Sequence, residues 1–208
     1  MSGDGRYPVP AEAHRVEQSI DRSRFICTVA RVRTPEEGHS FVRAIAAEFA
    51  DATHNCWAYV AGPPGSTSHV GMSDDGEPHG TAGRPMLTVL SHSGVGEIAA
   101  VVTRHYGGIK LGTGGLARAY ASSVQLALET MPRAERVDWK ELTVVIGYAS
   151  ISAVRQLVPQ HEAQLLEEEY GADVRLRVRA PAARVRALRA ALGDATGGQA
   201  VVRGAEGE

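Results

Sequence analysis

Hydrophobic and polar positions near the start of the chain predict a strand followed by a helix. Residues 25–30 are apolar and rich in β-forming side chains, as expected of a strand. Thr34 and Pro35 are residue types favoured at a helix N-cap and at the first helical position, and Glu37 completes a capping box. Apolar residues then recur at helical spacing up to residue 49, so one stripe of this helix should pack on a sheet.

The next part of the chain leads to a strand, a glycine-rich loop and a long helix. Three elements precede them: predicted strands over residues 55–61 and 69–72 and a predicted helix over residues 82–90. Residues 98–103 are apolar at positions facing both ways, which indicates a central strand. The glycine-dense residues 107–115 follow, and a helix is predicted from residue 116 to about residue 131.

A polar, charged stretch at residues 132–139 separates this half from a second apolar pattern. The predicted elements after it have the order βαββαβ, which is that of a ferredoxin-like domain. They are strands over residues 142–146, 163–170, 174–178 and 199–202 and helices over residues 152–158 and 185–192. Residues 163–170 have helical propensity, but the hairpin-like turn after them favours a strand. The predicted fold class is α+β, with a flexible N-terminus at residues 1–14, a first domain at 15–135 and a ferredoxin-like domain at 136–208.

Composition and charge exclude several classes of protein. The 208-residue chain has a formal net charge of -2, so no global field attracts nucleic acid or an anionic membrane. Cys27 and Cys56 form no CxxC pair, and no secretory signal is recognisable, which favours a reducing, cytoplasmic location. No apolar run approaches the roughly 18 residues of a membrane span, so no membrane partner is expected.

The acidic segment of residues 73–78 has no core periodicity, which is typical of a tight turn or of a site. In one interpretation its carboxylates accept hydrogen bonds from local amides, and Thr81 caps the next helix. In the other, Asp74, Asp75 and Glu77, with Ser73 beside them, hold a divalent cation through oxygen ligands. Their spacing is not that of an EF-hand loop, so no metal site is predicted.

The glycine-rich segment has the arrangement of an anion-binding loop. A strand, a loop and a helix in this order direct free amides and a helix N-terminus towards a ligand such as phosphate. The candidate anion- or nucleic-acid-binding residues are Arg104, Gly107, Gly108, Lys110, Gly112, Thr113, Gly114, Gly115 and Arg118. The alternative is a structural loop whose glycines adopt positive φ. The glycines have the spacing of a Walker A loop, but the lysine that this motif requires is missing. They also have a spacing similar to that of a dinucleotide-binding motif, but without its βαβ unit, so no cofactor is predicted.

Two long motifs resemble the YigZ/IMPACT family. One begins at Ser73 with Ser-Asp-Asp-Gly-Glu-Pro, and the other begins at Tyr106 with Tyr-Gly-Gly-Ile-Lys-Leu-Gly-Thr-Gly-Gly-Leu and ends at Tyr120. The resemblance implies an N-terminal domain similar to domain IV of elongation factor G and to a small-subunit ribosomal protein, with helices on one face of a sheet. It implies a ferredoxin-like C-terminal domain similar to domain V of the same factor. Eukaryotic members regulate translation through a ribosome-associated activator of an initiation-factor kinase, whereas bacterial members have no settled activity.

Three functions remain open from the sequence. The leading hypothesis is a non-enzymatic binding protein that engages RNA, the ribosome or a translation-associated protein through residues 107–115 and nearby basic residues. One alternative is a metal-assisted hydrolase or phosphate-handling enzyme, in which the acidic and glycine-rich segments converge. The other is a protein-interaction module without an anion site. The sequence leaves the oligomeric state open.

Overall fold

The computed structural model describes residues 5–204, and its contacts divide the chain into two units. One unit comprises residues 7–136, and the other comprises, of the described residues, 5–6 together with 137–204. Each unit has its own hydrophobic core. Among residues 5–204, no helix is both long enough and apolar enough to cross a membrane.

The unit of residues 7–136 contains seven strands and three helices. Its strands are β1 (Tyr7–Pro10), β2 (His14–Ile20), β3 (Ser23–Arg31), β4 (His54–Val60), β5 (Val70–Ser73), β6 (Ile98–His105) and β7 (Arg133–Arg136). Its helices are α1 (Pro35–Glu48), α2 (Gly83–His92) and α3 (Gly112–Thr130). Five strands form an antiparallel sheet in the order β2-β3-β6-β4-β5, while β1 and β7 pair in a separate two-stranded ribbon. The central position predicted for residues 98–103 is confirmed.

Helices cover both faces of the five-stranded sheet. On one face of the sheet, side chains such as Cys56 and Ala58 pack in the main core with α2 and α3. On the opposite face, Trp57 and Tyr59 lie in a smaller cluster with Phe41 of α1. The expectation of helices on one face is therefore wrong, because successive side chains of β4 are apolar on both sides and each side needs a cover.

Two other differences concern where elements begin. Residues 7–10 were expected within a flexible N-terminus, but they form β1, whose partner is β7; residues 1–4 of that prediction lie outside the described residues. The helix predicted from residue 116 begins at Gly112, so the last glycines of the loop belong to its first turn. At α1, Thr34 accepts from the Glu37 amide at 3.2 Å as predicted, but the Glu37 carboxylate accepts from the Arg33 amide.

The second unit has the predicted α+β architecture. Its elements are β8 (Trp139–Ile146), α4 (Ile151–Gln160), β9 (Gln164–Tyr170), β10 (Val174–Pro181), α5 (Ala182–Ala195) and β11 (Val201–Arg203). The antiparallel order β11-β8-β10-β9 is that of a ferredoxin-like sheet. The helices predicted to end at residues 158 and 192 continue to Gln160 and Ala195, so Pro159 and Gly193 lie inside their last turns. The helix α5 ends before Gly197 and Gly198, which have the positive φ that a helix end commonly requires.

Candidate nucleic-acid interface

The glycine-rich loop connects the end of β6 to the start of α3, and its first residues are held by two hydroxyl groups. The Tyr106 amide donates to Thr53 Oγ1 at 3.1 Å, and the Gly107 amide donates to Ser23 Oγ at 3.2 Å. A Cβ on Gly107 would lie 2.0 Å from the carbonyl group of Arg22, so only glycine fits this close approach. Gly108 has φ +86° and an open surrounding. The loop is therefore fixed at its start and exposed at its tip.

The helix α3 begins without a side-chain cap, whereas a carboxylate of the same unit accepts hydrogen bonds from the first amides of α2. Asp74 Oδ1 accepts from the amides of Ala82 and Gly83 at 3.0 and 2.9 Å, and its Oδ2 accepts from Gly80 at 2.8 Å. Leu111 at the N-cap of α3 makes no side-chain capping hydrogen bond, no side chain within residues 5–204 accepts from the first amides of this helix, and Thr113 there is exposed. A helix N-terminus carries partial positive charge and therefore favours a nearby anion. At α2 the Asp74 carboxylate is this anion, whereas the N-terminus of α3 is left to attract one from a ligand.

Three exposed cations lie in or next to this loop, and residues 5–204 contain no acidic partner for them. The side chains of Arg22, Lys110 and Arg118 make no hydrogen bond or ion pair with any other residue of the described range 5–204. Arg22 adjoins Gly107 through its carbonyl, and the Arg118 guanidinium lies 3.5 Å from where a Cβ of Gly114 would be. Lys110 and Arg118 were predicted from the sequence. Arg22 was not, because its proximity depends on the turn between β2 and β3.

Arg104 does not belong to this exposed group. It is 5% exposed, and its Nη1 donates to Glu77 Oε1 at 2.7 Å while its Nη2 donates to Ser23 Oγ at 3.3 Å. The prediction that Arg104 adds charge to the anion site is corrected, because Glu77 already neutralises its guanidinium. Its role is to support the loop from beneath.

Glu77 joins the acidic segment to the glycine-rich segment. Its Oε1 accepts from Arg104 and also from the Tyr120 hydroxyl at 2.8 Å. Burial raises the pKa of Tyr120, and the neighbouring Cys56 and Glu77 add to this rise, so the hydroxyl keeps its proton and acts as the donor. The two segments therefore converge, but on a buried ion pair. Sequence reasoning missed Tyr120 and Ser23 as members of this cluster, although Tyr120 lies in the second family motif.

The remaining acidic side chains are used for local hydrogen bonds. Burial alone raises the pKa of Asp74, but its three amide donors outweigh that effect, so the pKa lies below its ordinary value. Asp75 Oδ2 accepts from the Asn55 amide at 2.6 Å, and Ser73 Oγ accepts from the Asp75 amide at 3.1 Å. Thr81 does not cap α2, because its hydroxyl donates to the carbonyl of Pro78. These contacts favour the local-turn interpretation, and the described residues contain no group of three or more side chains placed to hold a metal.

Comparison with known proteins covers both units. The family model of the Impact N-terminal domain matches residues 21–128, and that of a domain of unknown function, DUF1949, matches residues 144–199. IMPACT family member YigZ of Escherichia coli (strain K12) is 44% identical over 186 residues, which are 89% of this chain and 91% of that protein. IMPACT family member YvyE of Bacillus subtilis (strain 168) is 40% identical over 164 residues, which are 78% of this chain and 74% of that protein.

A solved structure extends the similarity to the fold of the whole chain. It is described as the crystal structure of a hypothetical protein, has a TM-score of 0.67 at 41% sequence identity, and matches 98% of this chain and 99% of its own. Similarity in sequence and in fold thus agrees with the two motifs, the second of which contains the loop. The chain belongs to the IMPACT family.

Proposed function

We propose that this chain is a binding protein that holds the phosphate backbone of RNA, in a role connected with translation. The binding site is the cationic loop surface, which we define as Arg22, Lys110, Arg118 and the first turn of α3 at residues 112–115. One observation carries the proposal: three exposed cations without acidic partners in residues 5–204 lie in the loop, in the first two turns of α3 and in the turn that adjoins Gly107, and α3 begins without a side-chain cap. Both features attract phosphate groups.

The charges on neighbouring strands support this interpretation. Arg15 pairs with Glu48, and Arg24 pairs with Glu17, in each case at 2.6 Å. Arginines of the sheet thus have acidic partners, whereas the cations of the loop have none in the part of the chain that the structure describes. Because the chain as a whole has a net charge of -2, attraction of a polyanion depends on such a local surface.

The acidic segment gives less support to metal-assisted hydrolysis. Asp74 accepts three amide donors, Asp75 accepts one at 2.6 Å, and Glu77 accepts from Arg104 and Tyr120. A cation would have to displace these donors and would lie near the positive charge of Arg104. The observations therefore favour binding over hydrolysis.

The first prediction compares the two lysines of the chain. Replacing Lys110 by alanine should weaken RNA binding to a similar extent for every sequence and reduce the slope of log affinity against log salt by about one unit. The matched control is Lys140→Ala, because Lys140 lies in the other unit and is 3.5 Å from Asp138. Fluorescence anisotropy with labelled RNA over a series of KCl concentrations measures the affinity and the salt slope of each variant. Equal slopes for the two variants, or no RNA binding by the unaltered protein, would contradict the proposal.

A further inference from the structure

We infer that the ligand of the cationic loop surface is single-stranded RNA, with an unpaired base stacked on the ring of Tyr106. The inference rests on the proposed function and deepens it, because phosphate contacts alone do not separate single strands from duplexes. Tyr106 is 46% exposed and directly precedes Gly107 of the loop. An exposed aromatic ring beside a phosphate-binding surface is the arrangement by which proteins hold single-stranded nucleic acid.

The Tyr106 ring is supported by a buried guanidinium. The Cζ atom of Arg104 lies 5.4 Å from the centroid of the Tyr106 ring and 5.5 Å from that of Phe25, which is fully buried. Both distances are those of a cation–π contact. The guanidinium therefore connects an exposed ring to the core of the unit.

The backbone of Tyr106 and the guanidinium beneath its ring are held by hydrogen bonds before any ligand binds. The Ser23 hydroxyl contacts both Arg104 Nη2 and the amide of Gly107, and the amide of Tyr106 itself donates to Thr53. Glu77 holds Arg104 from the other segment at 2.7 Å. A ring held in this way loses little conformational freedom when a base stacks on it, and this favours binding.

The surface around Tyr106 suits a nucleic acid better than a protein. The unpaired charges of the cationic loop surface have one sign, and the exposed apolar residue nearest along the loop is Ile109. A protein partner would require an apolar area at the centre of the contact. The bases of a duplex are stacked on each other and leave no free face for Tyr106, whereas an unpaired base has one.

The test measures binding of the full chain to one RNA strand, to the same strand in a duplex, and to that strand with abasic positions. Tyr106→Ala and Tyr106→Leu should each weaken binding of the single strand about 5- to 150-fold, while Tyr106→Phe should keep it. Binding of the duplex and of the abasic strand should change little. The matched control is Tyr148→Ala, since Tyr148 is 53% exposed but lies in the other unit, and its affinity should be unaltered.

A second readout is independent of affinity. A 2-aminopurine placed in the single strand should lose fluorescence at saturating unaltered protein or Lys110→Ala, because the base stacks on Tyr106, and should keep it with Tyr106→Ala. Thermal unfolding of each variant verifies that the fold is intact.

The outcomes separate this inference from the function on which it rests. If the unaltered protein binds none of the RNAs, the proposed function fails. If it binds strand and duplex equally, and Tyr106→Ala changes neither, the surface recognises phosphates alone and the inference is overturned while the proposed function stands. If Tyr106→Ala leaves RNA affinity unchanged but abolishes binding to a protein partner, the ring belongs to a protein interface. This outcome would also overturn the inference.

Discussion

Glu77 and Arg104 form a buried ion pair beneath the loop, with side chains that are 3% and 6% exposed. Two further contacts support the pair, since Tyr120 donates to Glu77 and Arg104 donates to Ser23, while the buried Arg104 Nε has no hydrogen-bond partner within residues 5–204. Burying two charges is unfavourable, and the pair persists only while each charge has its partner. Loss of either side chain therefore leaves an uncompensated charge inside the unit.

Replacing Glu77 by glutamine should lower the free energy of unfolding by about 3–5 kcal/mol, because the Arg104 guanidinium stays buried without a counter-ion. Urea denaturation measures the change. Glu17→Gln is the control, since Glu17 also pairs with an arginine, Arg24, at 2.6 Å, but the two side chains are 47% and 50% exposed. This control should change stability little. A similar loss in the two variants would show that burial is not what makes the Glu77 pair important.

The role of single residues could be predicted only where it depends on local sequence. Lys110 and the glycines of the loop are recognisable from their order after a strand. The burial of Arg104 follows from the two-residue period of β6. The residues on the same face of this strand lie in the main core: Ile98, Ala100 and Val102. Its partner Glu77 lies 27 residues earlier, and no periodicity connects the two.

Elements with strong local signals were predicted well, whereas those set by distant contacts were not. The strand β9 was predicted despite its helical propensity, because a turn follows it. The strand β1 was missed: it contains two prolines, and its partner β7 lies more than 120 residues away in the chain. Proline is tolerated in an edge strand, so the pairing carries no sequence signature of its own.

Gly107 and Gly108 allow a test of how the loop is built. Gly108→Ala should lower stability by about 1–2 kcal/mol, because its φ of +86° is unfavourable for alanine while the space around it is open. Gly107→Ala should lower stability more and should weaken RNA binding, because its Cβ would lie 2.0 Å from the Arg22 carbonyl and force the adjacent Tyr106 to move. Denaturation and RNA titration of both variants measure this. A larger loss in Gly108→Ala would mean that conformation, and not close approach, determines the loop.

At the scale of the whole molecule, the first unit is closed by contacts near its two ends. Glu97 is 7% exposed and accepts from the Tyr7 hydroxyl at 2.9 Å, and it also pairs with Arg31 and Arg136. Burial, together with the hydrogen bond to Glu97, raises the pKa of Tyr7 to about 12, so the hydroxyl remains a donor at neutral pH. These contacts attach the ribbon of β1 and β7 to the end of β6 where the strand begins.

A fragment of residues 7–136 should therefore unfold cooperatively and at a higher urea concentration than a fragment of residues 15–135. The shorter fragment lacks Tyr7 and the fully buried Val9, and it leaves β7 without its partner strand. Circular dichroism during urea titration compares the two. Equal midpoints would show that the ribbon contributes nothing to the unit, and the boundary predicted from the sequence would then be sufficient.

The class of the second unit could be read from its pattern, because the order βαββαβ is that of a ferredoxin-like domain, although only β9 and β10 are neighbours both in its sheet and along the chain. The sheet order β2-β3-β6-β4-β5 of the first unit could not, since β6 inserts between strands that precede it. The family motifs supplied what the periodicity did not. Glu77 of the first motif meets Tyr120 of the second beside Arg104, because the chain folds back between β5 and β6.

Pairing of Tyr7 with Arg136 means that the chain enters and leaves the first unit at one place. The residue before this entry, Arg6, pairs with Glu162 and belongs to the ferredoxin-like unit, which resumes directly after the exit. Residues 7–136 thus have the topology of a cassette inserted near the beginning of a host domain. Because adjoining ends fit into a host loop without straining either backbone, such a cassette can be transplanted, removed or circularly permuted as a single piece.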